Sequence, residues 1–350
     1  MKNVGISLYL GTGLEKNAEI LKKAHGSNIH YAFTSLQIPE EKNKNGLNEI
    51  RALLTLCKDY GVSLIADIGP YTLRKLGIHS FEDLKQTAIS HLRVDNGISC
   101  REMVEISKYF NVVLNASTLQ EEQISELQKL HADFSRFSGC HNFYPEPLTG
   151  LSVERVKQMN ERMHRFGMKT MAFVAGDKEM RGPLYQGLPT LEGQRNRKVL
   201  LNILQLFQRC ATDVCLVGDV GLSDTAYRQL QELNSGYVSL KAKIKPEYRF
   251  IAETIHHDRP DSSEYVIRSQ ESRQYQAQGK TFPAEPSVPR KRGCITLGNQ
   301  NYLRYAGELE IARRDLPQES RVNPAGFVEP DFLPYLDYVE NGMGFRLVIQ

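Results

Sequence analysis

Short apolar runs rich in β-branched residues alternate with longer helical patterns through the first two-thirds of the chain. No other feature constrains the fold as much. The runs occupy residues 4–9, 31–36, 63–67, 91–95, 112–116, 134–138, 169–174 and 214–218. Helix start signals lie between them. Ser80-Phe-Glu-Asp83, Ser99-Cys-Arg-Glu102 and Thr118-Leu-Gln-Glu121 each set a capping hydroxyl three positions before a carboxylate. Ser99 leads into Met103, Ile106 and Tyr109, and Thr118 into Ile124, Leu127 and Leu130, both at helical spacing. Ser152 and Ser223 are further caps, and Gly61 and Gly167 stand where a left-handed helix end is expected. Eight β-then-α units fit a (β/α)8 barrel of the TIM type. A doubly wound open sheet is the alternative. It is disfavoured because Gly11-Thr-Gly13 lacks the third glycine of a dinucleotide fingerprint.

The texture changes near residue 240. Residues 264–267, 293–297, 309–311 and 345–349 read as short strands with few helical patterns among them. Pro283, Pro286 and Pro289 mark 280–292 as an exposed loop, and Arg290-Lys291-Arg292 as part of its solvated face. The 350 residues therefore divide into a barrel domain, 1–240, and a smaller, mostly β domain, 241–350.

Composition removes several classes of function. Lys and Arg number 44 against 41 Asp and Glu, a net charge of +3, too balanced for a polyanionic partner such as nucleic acid. Hydrophobic residues at 41% and charged residues at 24% match an ordinary globular chain. No apolar run approaches the roughly 20 residues of a membrane helix. Met1-Lys2-Asn3-Val4-Gly5-Ile6-Ser7-Leu8 reads as a first strand, not a signal peptide, and points to the cytoplasm. The six cysteines are scattered without CxxC spacing, so reduced thiols are expected and no metal ribbon.

In such a barrel the reactive groups stand at the C-terminal ends of the strands. That rule selects Asp67 and Asp95 on adjacent strands, expected at equal heights, and Glu192 on a longer loop. Paired carboxylates suit glycoside hydrolysis, which needs an acid and a base or nucleophile. Capping or pairing with Arg93 is the competing role for Asp67. His141, Asn142, Phe143 and Tyr144 combine hydrogen-bonding groups with an aromatic face, as a sugar site requires; packing is the competing role for His141. Arg93 and Asn115 are candidates to support the carboxylates, and Arg195 and Arg181 to contact an anion. There is no HxH or HExxH for a metal and no GxSxG elbow for a serine nucleophile, so no cofactor is expected.

At these residues the chain resembles the 6-phospho-N-acetylmuramidases. The similarity rests on Asp67-Ile-Gly-Pro70, Arg93-Val-Asp95-Asn-Gly97, Gly139-Cys-His-Asn-Phe-Tyr-Pro145, Thr149-Gly-Leu-Ser152 and Gly187-Leu-Pro-Thr-Leu-Glu192. It continues through Leu297-Gly-Asn-Gln-Asn-Tyr-Leu-Arg-Tyr-Ala-Gly-Glu-Leu-Glu-Ile311. The resemblance implies a TIM-type barrel followed by a cyclophilin-like β domain. It implies hydrolysis of the β-1,4 bond of N-acetylmuramic acid 6-phosphate–N-acetylglucosamine in cell-wall recycling. Departures at Leu10, Gly69, Gln194 and Asp219 all touch the barrel mouth, so a related phosphorylated disaccharide is a second candidate substrate. Those at Leu10, Gly69 and Asp219 also support an alternative function, a non-catalytic sugar-phosphate binding or sensing protein on the same scaffold. A barrel aldolase or isomerase is a weaker third reading. The division of roles among the three acids, and the oligomeric state, stay open at this level.

Overall fold

The computed structural model describes residues 3–36, 46–69, 72, 78, 80–94 and 97–349. The chain forms two compact units, 1–234 and 235–350. In the first, eight parallel strands close into a barrel in sequence order. They are β1 (Asn3–Ser7), β2 (Tyr31–Ser35), β3 (Ser63–Ile68), β4 (Ile89–Val94), β5 (Asn111–Asn115), β6 (Phe137–Cys140), β7 (Lys169–Val174) and β8 (Val214–Val217). Closure comes from β1 pairing with β8, Val4 beside Cys215 and Gly5 beside Leu216. Gly5 is required there, because a Cβ would lie 2.6 Å from Leu216 Cδ2.

Side chains alternate along each strand, so every second residue points into the barrel. Phe33, Ile65, Val113, Cys140, Met171, Phe173, Val214 and Leu216 fill the interior as one packed cluster. The opposite faces pack under helices α1 (Leu14–Gly26), α2 (Gly46–Asp59), α3 (Cys100–Ser107), α4 (Glu121–Lys129), α5 (Val153–His164), α6 (Val199–Arg209) and α7 (Asp224–Asn234). Ser99 and Glu102 form the expected reciprocal cap on α3. Ser80 and Asp83 form the same box on a short 3-10 turn, Phe81–Gln86. Ser152 accepts from Arg155 N at the start of α5. Gly61 and Gly167 both have positive φ.

Two local expectations are corrected. Thr118 does not cap a helix: α4 begins at Glu121, after Gln120. The expected strand at 134–138 starts late, because Asp133 accepts from Ser135 N and winds Phe134–Arg136 into a 3-10 turn first.

The second unit is a seven-stranded sheet. Continuing the numbering, it contains β9 (Tyr237–Ile244), β10 (Ile255–His257), β11 (Val266–Arg268), β12 (Cys294–Gly298), β13 (Leu309–Ala312), β14 (Val322–Val328) and β15 (Gly344–Ile349), in spatial order 10-15-9-14-12-13-11. Three of these, β9, β10 and β14, were not expected from the sequence. Pro324 and Gly326 mask β14, which tolerates them through a register shift against Ile295 and Thr296 of β12. β9 begins before residue 240 and pairs with β15 from Tyr237 onward. The basic triplet is paired with carboxylates: Arg290 with Glu310, Lys291 with Asp315, and Arg292 with Asp337. Among the described residues no helix is long and apolar enough to cross a membrane.

Candidate active site

The packed interior of the barrel gives way to polar side chains at the C-terminal ends of its strands. Ser35, Asp67, Asn115 and Asn142 each lie two residues beyond a member of the interior cluster: Phe33, Ile65, Val113 and Cys140. The same alternation that fills the core thus aims these groups into the mouth. Arg93 joins them from β4, in register with Asp67. The expected equal height of Asp67 and Asp95 falls on Asp95, which lies outside the described residues.

These side chains form one hydrogen-bonded chain. Asp67 Oδ1 accepts from Arg93 Nη1 at 2.8 Å, and Asp67 Oδ2 accepts from Ser35 Oγ at 3.0 Å. Arg93 Nη2 donates to Asn142 Oδ1 at 2.6 Å. Asp67 and Arg93 are buried, so this is a charge pair with little access to water. With its oxygen held by Arg93, Asn142 keeps its amide N–H groups as the free donors. Asn115 is set in the same way, its Oδ1 accepting from Ser117 N at 3.1 Å. Among the described residues neither amide nitrogen has a protein acceptor.

His141 does not face this mouth. It has no exposed surface, and its Nε2 lies 2.9 Å from Asn160 Oδ1. Asn160 spends its own amide donors on Cys210 O and Thr212 Oγ1, so the His141 Nε2–H is the donor in that contact. Burial pushes its pKa down to about 4, so the ring is neutral. It ties the end of β6 to α5. Tyr144 is half-buried and enters the polar network through its main chain, with its N–H donating to Pro189 O.

Glu192 and Arg195 pair face to face. Glu192 Oε1 accepts from Arg195 Nε at 2.7 Å and Oε2 from Arg195 Nη2 at 2.8 Å. Glu192 Oε2 also accepts from Gly150 N at 3.0 Å. The Arg195 contacts hold the carboxyl down at about 2. The rest of the guanidinium donates to the carbonyls of Gln186, Gly187 and Tyr144. All five of its N–H groups are thereby engaged, so the expected phosphate contact at Arg195 is corrected to a clamp between the loops after β6 and β7. A parallel bridge between Leu151 and Leu191 reinforces that junction.

The sequence departures at Gln194 and Asp219 are also accounted for. Gln194 is buried and donates to Asn202 O and Gln205 Oε1. Asp219 accepts three backbone N–H groups, from Gly176, Arg181 and Leu188, and so folds the loop after β7 against the end of β8. The Arg181 guanidinium lies over the Tyr9 ring, 4.1 Å from its centroid, on the β1 side of the mouth. Tyr9 OH donates to Gly218 O.

Ser35, Gly150 and Asn160 complete the arrangement without having been singled out from the sequence. Ser35 carries the same strand-end signal as Asp67. Gly150 falls within the quoted Thr149-Gly-Leu-Ser152 stretch with no role attached, and Asn160 carries no signal, since their roles depend on Glu192 and His141 arriving from elsewhere. Among the described residues no group of three or more His, Cys, Asp and Glu side chains is placed to hold a metal ion.

Two family descriptions match the chain. One, "6-phospho-N-acetylmuramidase, N-terminal", matches residues 4–232, and its C-terminal counterpart matches 237–348. Among solved structures, a conserved Enterococcus faecalis protein of unknown function is similar at 28% identity and a TM-score of 0.80, over 99% of this chain and 96% of that one. An uncharacterized B. cereus protein is similar at 26% identity and a TM-score of 0.77, over 99% of this chain and 100% of that one. No curated protein matches. With both of its units matched almost end to end, the chain belongs to the 6-phospho-N-acetylmuramidase family.

Proposed function

We propose that the chain is a glycosidase that cleaves the β-1,4 bond of a phosphorylated amino-sugar disaccharide at the C-terminal mouth of its barrel. N-acetylmuramic acid 6-phosphate–N-acetylglucosamine is the substrate this reading assigns, within cytoplasmic recycling of cell-wall sugars. The observation that carries it is the Ser35–Asp67–Arg93–Asn142 chain. It presents a carboxylate with both oxygens already accepting, next to oriented amide donors suited to sugar hydroxyl or N-acetyl oxygens.

In this reading Asp67 serves as base or nucleophile, because its contacts favour the anion. Asp95, next in sequence after Val94, is the proposed acid, as glycoside hydrolysis requires a second carboxyl. Asn142 and Asn115 orient the sugars. Glu192 and Arg195 hold the loops that frame the mouth. Arg181 replaces Arg195 as the proposed phosphate contact, since the donors of Arg195 are engaged.

A second reading is a sugar-phosphate binding protein without turnover. The engagement of Glu192 and Asp219 in loop contacts favours it, because neither is then offered to a substrate.

Incubation with phosphorylated and unphosphorylated muramyl disaccharides, with products read by mass, tests the proposal. Release of the 6-phosphosugar from the phosphorylated substrate is expected. Asp67→Asn should slow it by about two or more orders of magnitude. Tight binding without release would instead establish the second reading. The anomer first formed, read by proton NMR, shows whether Asp67 acts as base or nucleophile.

A further inference from the structure

The segment between β12 and β13, Asn299-Gln-Asn-Tyr-Leu-Arg-Tyr-Ala-Gly-Glu308, belongs to the second unit. It forms a kinked 3-10 stretch, Gln300–Tyr305, whose Leu303 has a positive φ of 54° and an exposed side chain. Asn299 anchors its start, accepting from Asn301 N and donating to Ser320 O and Asn323 Oδ1. Gly298 and Gly307 let its ends pack closely. A Cβ on Gly298 would meet the Tyr305 carbonyl oxygen, and one on Gly307 would lie 2.8 Å from the Phe282 ring.

This stretch borders a cavity of about 350 Å³ within the second unit, lined by Arg273, Arg304, Tyr305, Ala306 and Glu308. That volume lies in the range of small-molecule sites. Glu308 is buried, and its Oε1 has no hydrogen-bond donor. The two nearest cations stop short of it: Arg273 Nε lies 3.7 Å away and Arg259 Nη1 4.0 Å away. Arg259 is committed elsewhere, to both oxygens of Asp261. Arg304 stacks on Tyr305 and donates to its hydroxyl. Neither Arg273 nor Arg304 has a hydrogen-bonded carboxylate among the described residues.

A buried carboxylate oxygen without a donor is costly, as it has lost water and the two cations near it stop short of replacing that hydrogen bond. Two exposed arginines among the lining residues call for an anion, and the Glu308 oxygen in the same lining calls for a neutral donor. A hydroxyl satisfies the oxygen without adding charge. We propose that this cavity binds a small hydroxylated organic anion, such as a sugar phosphate or sugar acid. Arg273 and Arg304 hold the anionic group, and Glu308 Oε1 accepts from a hydroxyl. The proposal does not depend on what the barrel does.

The chain contains no tryptophan, so a single introduced one reports on one place. Tyr302 is suited to this, its ring 5.5 Å from that of Tyr305 but outside the cavity lining. The full-length Tyr302→Trp protein is titrated with glucose 6-phosphate, gluconate, inorganic phosphate and glucose, and its emission is followed. A saturable change is expected with glucose 6-phosphate or gluconate, at least about tenfold tighter than with inorganic phosphate or glucose.

Adding Arg273→Ala with Arg304→Ala should weaken that response by about tenfold or more. Both residues are exposed, so the melting temperature should hold. Glu308→Gln should weaken binding of the hydroxylated anion while leaving inorganic phosphate unaffected or tighter. Arg93→Lys, in the barrel, should leave this emission response as it is in the parent. The proposal is overturned if no hydroxylated anion gives a saturable change, or if the double arginine variant responds like its parent. It is equally overturned if Glu308→Gln weakens all anions alike, or if Arg93→Lys abolishes the response.

Discussion

Arg93 bridges Asp67 and Asn142, giving one guanidinium nitrogen to a carboxylate on the neighbouring strand and the other to an amide across the mouth. The bridge needs a planar fork with two donors pointing in different directions, which Lys cannot supply. Arg93→Lys should therefore leave the charge beside Asp67 but release Asn142. Steady-state kinetics on the phosphorylated disaccharide should show kcat/KM reduced by about tenfold to a hundredfold. Unchanged kinetics would mean that Asn142 is not oriented through Arg93.

Arg181 is proposed to contact the phosphate from its position over Tyr9. Arg181→Ala should raise KM for the phosphorylated disaccharide and leave binding of the unphosphorylated one unaltered. An equal effect on both would assign Arg181 to loop structure, consistent with its backbone contact to Asp219.

The Glu192–Arg195 pair predicts a stability effect. Arg195→Lys loses the two-pronged contact and at least some of the carbonyl contacts. Urea denaturation at neutral pH should show a loss of about 2–3 kcal/mol. Acid should have a related effect. The Glu192 carboxyl is held at about 2, below its ordinary 4.5. Its contribution is therefore complete above about pH 4.5 and is lost as the pH falls toward 2. Glu192→Gln should remove that component of the acid transition.

Gly150 lies against Glu192, and a Cβ there would stand 2.7 Å from Glu192 N and 2.8 Å from Glu192 Oε2. Gly150→Ala must push the two loops apart. A loss of about 1–3 kcal/mol in denaturant is expected. Activity should fall with it, because the displaced loop carries Asn142 and Tyr144. Wild-type stability in this variant would contradict the close approach.

His141 should make stability depend on pH in a different window. Its pKa falls from 6.5 in the unfolded chain to about 4 in the fold. The stability linked to its neutral form is therefore full above about pH 6.5 and declines as the pH falls toward 4. At pH 5 the loss comes to roughly 2 kcal/mol. His91, similarly depressed to about 4 by burial, adds a second component of the same sign. Comparing urea midpoints at pH 7.5 and pH 5 should show a smaller drop for His141→Gln than for the wild-type chain.

The barrel was legible because its evidence is local and repeated. Most of its strands and helices announce themselves within about ten residues through apolar spacing, some with caps such as Ser99 with Glu102. The same periodicity carried Asp67, Asn115 and Asn142 to the mouth, since a group two residues beyond an interior position must face the same way. The family resemblance was legible for the same reason, as its motifs are short and contiguous.

What each polar group touches at the mouth is decided only in three dimensions. Glu192, Arg195 and His141 have the residue types of a catalytic site, and no local pattern tells a reactive carboxylate from one bound by a neighbour's guanidinium. Arg195 reaches main-chain carbonyls on two loops, and His141 meets an asparagine that arrives 19 residues later on a helix. The sequence by itself determined the barrel, its family and the end where chemistry is expected, because those follow from short-range spacing. The tertiary structure decided which acids are engaged, which amides are offered and where Glu308 lies without a donor. Those properties depend on partners that only folding brings within hydrogen-bond reach.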